Sequence, residues 1–459
     1  MNLYPHQRKE VDLYGDHPRR GLLWCPRSGK SLATIESALR LRKIGLIKHV
    51  VITSPNGVHR NWILQELNHR FPADTIWCWD TNVSTSVQQQ QIKGLSTSWR
   101  ILSLPAHIWT MQRAQWLMKD LYRNAHHTLL IVDESDDYSV NTAKRTRRVK
   151  TFARKCAAVR ILTGTPWHDS LLHAWAQLEI LAPGASGYRT YHDFSRRYGV
   201  WETRFGAHGS WPALVGYQHV DEFMTQVHKV CSFVTTADIP HMARAKTEVI
   251  SIPLTIESDR ELISLFDTLT IETAGVVFGQ IQQLVGLDQD RLRYTTALAR
   301  RGRCVVIWCR YRAEIEQLQS LLPDALTWYG GTEESIRRRI RDTLRHDAPP
   351  GPGMVVIAQP QACARGLDFS RADLMIFHSH LPSVRLHEQA LHRVLAIGSG
   401  TTTVYYICNS GIDEYILRRL SNKTRFARIT LQDIMTVREY SVVSSDRRLR
   451  QLWKRPHKG

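Results

Sequence analysis

Short apolar runs, each closed by turn or polar residues, recur through the first third of the chain. They are GLLWC (21–25), HVVITS (49–54), RILSL (100–104), TLLIVDE (128–134) and VRILTG (159–164). Runs of this length suit strands buried on both faces of a sheet. Between them, SLATIESALRLRKI (31–44) and HRNWILQELNHRF (59–71) carry the apolar spacing of amphipathic helices. Strands alternating with helices predict a mostly parallel sheet with crossover helices. The rhythm restarts with RCVVIWC (303–309), ALTWYGG (325–331), MVVIAQ (354–359), LMIFHSH (374–380) and TVYYICN (403–409), the expected strands of a second α/β domain.

From about 170 to 300 the strand rhythm is missing, and helix formers and aromatics dominate. The expected division is an N-terminal domain over 1–237 with a helical insertion at about 170–237, and a linker at 238–252. A C-terminal domain over 253–430 follows, beginning with a helical segment, and then a basic tail over 431–459.

Composition sharpens this picture in two ways. The 459 residues exceed one hydrophobic core. Lys and Arg outnumber Asp and Glu by 61 to 42, a formal net charge of +19, and an excess of that size points to a polyanionic partner. The eight cysteines are scattered with no CxxC pair, which argues against a disulfide framework or a structural zinc site. No apolar stretch approaches the roughly 20 residues of a membrane span, and MNLYPHQRKE has no apolar signal core. The expectation is a soluble, intracellular protein: cytoplasmic in a bacterium or virus-infected cell, nuclear in a eukaryote.

Two segments carry candidate chemistry. WCPRSGKSLATIESAL (24–39) follows a strand and opens a helix, so Ser28, Gly29, Lys30 and Ser31 fit the end of a phosphate-binding loop. Lys30 suits the β- and γ-phosphates, and Ser31 suits Mg²⁺. The first glycine of the GxxxxGK[ST] spacing falls on Trp24, so the loop departs from that rule. LLIVDESD (129–136) ends an apolar strand in adjacent carboxylates, which are costly there unless they meet a cation or catalyse. Asp133 suits a water-bridged metal ion and Glu134 the polarising of an attacking water. Together the two segments favour nucleoside triphosphate hydrolysis.

Further segments resemble one family in order and spacing. LYPHQ (3–7), VVITSPNGVHRNWILQEL (50–67), VDESDDYSVNTAKRTRR (132–148) and LTGTPWHDSLLHAW (162–175) are similar to the first-lobe motifs of Swi/Snf-like superfamily-two DNA-dependent ATPases. VVIWCRYRAEIEQLQSLL (305–322), WYGGTEESIRRRI (328–340) and the stretch from QPQACARGLDF (359–369) to HEQALHRVLAIG (387–398) resemble the second-lobe motifs. The resemblance covers about residues 1 to 420. It implies two RecA-like parallel-sheet lobes with helical insertions between them, binding ATP and Mg²⁺ in the cleft between the lobes. Gln7 would read adenine, and Gly366 and Asp368 would contact nucleotide and nucleic acid. Gln389 and Arg393 would approach the γ-phosphate, while Thr163 and Thr165 would link hydrolysis to movement. Family members generally translocate along duplex DNA. The expected partner is therefore duplex DNA held by its phosphate backbone, with Arg60, Lys144, Arg145, Arg147 and Arg338 as candidate contacts. The protein is expected as a monomer.

Two departures bear on activity. The acidic box reads DESD where the family usually has DEAH or DEGH, placing Asp136 on a histidine. The closing motif, usually QAxxRxxRxG, has Arg393 on its first arginine and Ala396 on its second. Losing one cationic donor to a phosphoryl transition state costs on the order of 10² to 10³ in rate. Ala396 is compatible with an introduced substitution, with a natural exchange in which Arg385 stands in, or with a chain that binds ATP without turnover. Three activities stay open at this point: an ATP-driven duplex translocase, a strand-separating helicase, and an ATP-responsive DNA clamp.

Overall fold

The five apolar runs of the N-terminal half and a short sixth segment, Ile76–Cys78, become strands of one parallel sheet. They are β1 (Arg19–Trp24), β2 (His49–Ser54), β3 (Ile76–Cys78), β4 (Arg100–Pro105), β5 (Thr128–Asp133) and β6 (Ala158–Leu162). Two antiparallel strands, β7 (Gly199–Gly206) and β8 (Gly209–Tyr217), stand apart as a ribbon, and β9 (Cys231–Val234) returns to the sheet. The order is β3-β4-β2-β5-β6-β1-β9, with every neighbouring pair parallel. In this computed structural model the described residues are 3–167, 170–206, 209–243, 245–270, 273–344, 353–363, 367–395, 400–409 and 411–421.

Period-two alternation explains why these strands are apolar throughout. On β5, Leu130 and Val132 enter one core with Trp109, Phe152 and Leu178. Leu129 and Ile131 enter the other, with Trp24, Ile35 and Trp62. Helices therefore cover both faces. A guanidinium also lies inside: Arg160 on β6 donates to Gly15 O at 3.1 Å, Pro18 O at 3.2 Å and Ser37 Oγ at 2.6 Å. These bonds tie the sheet to the helix Lys30–Lys43 that follows β1.

The chain divides into two compact units between Ile239 and Pro240. The second unit has its own parallel sheet of β10 (Ala245–Ser251), β11 (Cys304–Trp308), β12 (Leu326–Trp328), β13 (Met354–Ala358), β14 (Leu374–Phe377) and β15 (Thr402–Cys408). The order is β10-β15-β14-β11-β13-β12. The fold is α/β with two RecA-like lobes. Helices Ile256–Asp267, Ala274–Gly286 and Gln289–Ala299 precede β11. Arg291, fully buried on the last of these, binds Asp413 Oδ2 at 2.7 Å, Asn409 Oδ1 at 2.6 Å and two main-chain carbonyls.

Two stretches differ from the sequence reading. Residues 245–251, read as linker, form β10 and pair in parallel with the whole of β15. Their sequence AKTEVIS is mostly polar and none of the seven is fully buried, which suits a strand at the edge of the sheet. The 170–237 stretch holds the expected helices Ala174–Leu181, Tyr191–Tyr198 and Val220–Val230, and it also holds the β7–β8 ribbon and β9. The tail over 431–459, Gly366 and Ala396 lie outside the described residues. Among those described, no helix is long and apolar enough to cross a membrane.

Candidate active site

Strands β5, β6 and β1 are neighbours and parallel, so their C-terminal ends open on one edge of the sheet. In open α/β sheets that edge is where ligands bind. β1 delivers the loop Cys25–Gly29, β5 delivers Asp133 and Glu134, and β6 delivers Thr163 to Thr165. Chain topology thus brings together three segments spread between residues 25 and 165.

The loop is built for close approach. Arg27 (φ 66°) and Gly29 (φ 78°) both have left-handed backbone, and Gly29 caps the helix Lys30–Lys43. Turns of this kind at a helix N-terminus suit an anion. A Cβ on Gly29 would lie 2.0 Å from Gln7 Nε2. Gln7 is buried and fully engaged: its Nε2 donates to Ser28 O at 3.1 Å and Gly29 O at 3.3 Å, and its Oε1 accepts from Tyr4 N at 2.9 Å. His6 Nε2 also meets Ser28 O, at 2.8 Å. The LYPHQ segment therefore buttresses the phosphate loop from below. Lys30 Nζ donates to Trp24 O at 2.9 Å and Cys25 O at 3.1 Å, folded across the loop's own carbonyls. Ser28 is fully buried, and its Oγ has no hydrogen-bond partner among the described residues.

Beside the loop, Asp133 accepts from Trp62 Nε1 at 2.9 Å and from Glu134 N at 3.0 Å. Burial first, and then the neighbouring Glu134 carboxylate, push its pKa up to about 7; Trp62 and the Lys30 ammonium oppose that rise. Glu134 has left-handed backbone at φ 50°, a strained conformation for a non-glycine residue. A carboxylate held in this way fits a cation. The chemistry of the donors suits Mg²⁺, with Ser31 in the first helical turn and Asp133 opposite, and the buried Ser28 hydroxyl and the glycine turn suit phosphate oxygens.

The third segment is locked to the other two. Thr163 Oγ1 donates to Asp136 Oδ1 at 3.0 Å and accepts from Thr165 N at 3.1 Å. Ser135 Oγ donates to Gln177 Oε1 at 2.8 Å, and Gln177 Nε2 donates back to Pro166 O. A Cβ on Gly164 would meet Pro26 Cγ at 2.7 Å, so the LTGTP segment presses directly on the phosphate loop. The sequence reading did not anticipate Trp62, Gln177, His6 or the Gly164–Pro26 contact. Its only signals were a tryptophan after the proline that follows β2, a glutamine amid the apolar AWAQLEIL, and the glycine of LTGTP.

In the second unit, Arg393 and the segment after Gly366 lie together. Arg393 Nη1 donates to Leu367 O at 3.2 Å, and Phe369 N donates to Arg393 O at 3.0 Å. Asp368 Oδ1 accepts from Ser370 N at 2.9 Å, turning this segment. Gln389, on the helix Val384–Leu391, is buried, and neither amide atom has a hydrogen-bond partner among the described residues.

The candidate DNA contacts separate into two groups. Lys144 and Arg147 on the helix Lys144–Ala153, and Arg338 on the helix Glu334–Leu344, are exposed. Arg145 is spent internally, donating to Asp137 O at 2.7 Å and lying 5.1 Å from the Tyr138 ring centroid. Arg60 pairs with Asp80 at 3.1 Å.

No family model matches the chain. Over 341 residues, 68% of its length, it is 24% identical to the DNA annealing helicase and endonuclease ZRANB3 of Bos taurus. That match agrees with the ordered motifs in making the chain similar to Swi/Snf-like, superfamily-two helicase-type proteins. The chain spans about 30% of that relative's length. The DUF1998 helicase MrfA, solved bound to DNA, has the same fold at a TM-score of 0.56 and 13% identity, covering 93% of this chain and 49% of that one. The Sulfolobus solfataricus SWI2/SNF2 ATPase core, solved with dsDNA, is 16% identical with a TM-score of 0.43, covering 99% and 98%.

Proposed function

We propose that the chain is an ATP-dependent translocase on double-stranded DNA. The observation that carries this reading is that neighbouring parallel strands β1, β6 and β5 bring the Cys25–Gly29 loop, Thr163 and the Asp133–Glu134 pair to one edge of the sheet. Burial raises the Asp133 carboxyl to about 7, so a cation bound there would favour its anion.

In this reading Gly29 and the Ser28 and Lys30 main-chain groups cradle the phosphates. Lys30 leaves its loop carbonyls to reach them, and Ser31 with Asp133 holds Mg²⁺, which when bound neutralises phosphate charge. Glu134 orients the attacking water. Gln389 and Arg393 come from the second lobe, and the Thr163–Asp136 link passes the state of the acidic box to the LTGTP segment. Gln7 steadies the loop, and an adenine base would have to compete for its amide with Ser28 O and Gly29 O. Ala396 in place of a second arginine lowers turnover more than ATP affinity, because the ground-state phosphate ligands remain.

Displacement of a third strand from a triplex tests translocation. ATP-dependent displacement from an otherwise blunt duplex is expected, together with greater ATPase stimulation by duplex than by single strands. Stimulation by single strands alone, with no displacement, would replace this reading with a strand-tracking helicase.

A further inference from the structure

The β7–β8 ribbon lies outside the site described above. Its inner end is well anchored. Trp201 Nε1 donates to Ser195 O at 3.1 Å, Gln218 N donates to Tyr198 O at 2.9 Å, and Tyr217 OH donates to Ser170 Oγ at 3.0 Å. Gly199 permits this packing, since a Cβ there would lie 2.6 Å from Trp201 Nε1 and 2.7 Å from Ser195 O.

The outer half is different. Strands of eight and nine residues rise about 25 Å. Toward the outer end, Phe205 is 81% exposed and Trp211 50%. Among the described residues neither ring has an aromatic neighbour or a hydrogen bond. Register fixes which face each occupies: Arg204 lies directly across from Trp211, and Phe205 across from Ser210, so the two rings point to opposite faces. Arg204 is exposed beside Trp211, with the exposed Glu202 two residues inward on the same face. Exposing two large rings costs hydrophobic free energy that an ordinary surface ribbon avoids.

We propose that this outer half is a stacking platform for unpaired nucleotides next to duplex DNA, with Phe205 and Trp211 taking bases and Arg204 a phosphate. The proposal rests on the DNA-directed reading above. The occupant follows from chemistry. Flat rings beside a guanidinium, on a chain of net charge +19, suit a polyanion that exposes π faces. Bases within a duplex are already stacked on each other, so the rings can engage only unpaired arms, ends or junctions. The rest of the basic surface serves duplex phosphates without regard to pairing.

The test uses the full chain and its Phe205→Ala/Trp211→Ala and Phe205→Leu/Trp211→Leu variants, with urea midpoints confirming that all are folded. Dissociation constants are measured for a blunt duplex and for a fork of the same duplex with unpaired arms carrying 2-aminopurine. Both variants should lose about 10-fold or more in fork affinity, keep blunt-duplex affinity within twofold, and lose the fluorescence quenching that stacking produces. The leucine variant separates ring stacking from apolar contact, and its retaining full fork affinity would overturn the proposal. Equal affinity of all chains for both DNAs would also overturn it and assign the ribbon to a protein surface. A wild-type chain that binds neither DNA would overturn the DNA-directed reading as well, so the two failures are distinguishable.

Discussion

Thr163 Oγ1 donates a hydrogen bond to Asp136 Oδ1 at 3.0 Å, with both side chains buried. The acidic segment after β5 thus keeps a direct polar link to the LTGTP segment. Asp136→Ala removes the acceptor and leaves a buried threonine hydroxyl to find another, at a cost of about 1–3 kcal/mol. The stimulation of ATPase by duplex DNA is expected to fall about tenfold. Asp136→Asn keeps an acceptor oxygen and should fall less. Steady-state turnover with and without DNA measures both.

Gly164 and Pro26 form the second contact between the same segment and the phosphate loop. Gly164→Ala places a Cβ 2.7 Å from Pro26 Cγ, closer than packing tolerates, so the loop must shift. ATP affinity should weaken about tenfold. Pro26→Ala in the same chain should restore most of that loss, a coupling that a double-mutant cycle on the ATP dissociation constant measures.

Asp133 makes the empty protein pH-dependent. Its carboxyl is raised from 3.8 to about 7, so between those values the folded state holds a proton that the unfolded state has lost. Its contribution to stability therefore falls as pH rises through that window. Asp133→Asn should stabilise the nucleotide-free chain at pH 8 by on the order of 2–4 kcal/mol, show little gain near pH 4, and abolish turnover. Urea unfolding across pH checks the sign.

The second lobe should have the opposite slope. His378 and His387 are buried and held at about 3, and His380 at about 4, chiefly by burial. Each bonds within the core, as in His387 Nε2 to Tyr406 OH at 2.8 Å. Unfolded histidines take up protons below about 6.5 while these do not, so this lobe loses stability as pH falls from 6.5 toward 4. His387→Asn should flatten the acid limb of the urea midpoint by about one proton.

How much of this was legible follows from burial. Strands covered on both faces announce themselves as unbroken apolar runs, so HVVITS and TLLIVD were readable to within a residue or two of β2 and β5. Two edge strands were not: β3 is only Ile76–Cys78, and β10 carries polar residues on both faces. Of the candidate site, Lys30 and Asp133 stood out from the segments that follow apolar strands, whereas Thr163 was singled out only by the resemblance. Contacts such as Trp62 with Asp133 or Gly164 against Pro26 join positions far apart in sequence, and only the order β5-β6-β1 brings them together. In the β7–β8 ribbon, Phe205 and Trp211 are exposed, which an aromatic residue's identity alone does not reveal.

The central claim is a DNA-dependent ATPase whose phosphate loop contains Lys30. The measurement that tests it most directly is ATP turnover by the chain, its Lys30→Ala variant and its Ala396→Arg variant, each with and without saturating blunt duplex. The account predicts turnover that rises at least tenfold with duplex, disappears in Lys30→Ala, and increases on the order of 10²-fold in Ala396→Arg. Turnover in neither the chain nor Ala396→Arg above the Lys30→Ala background, with DNA present, would contradict it.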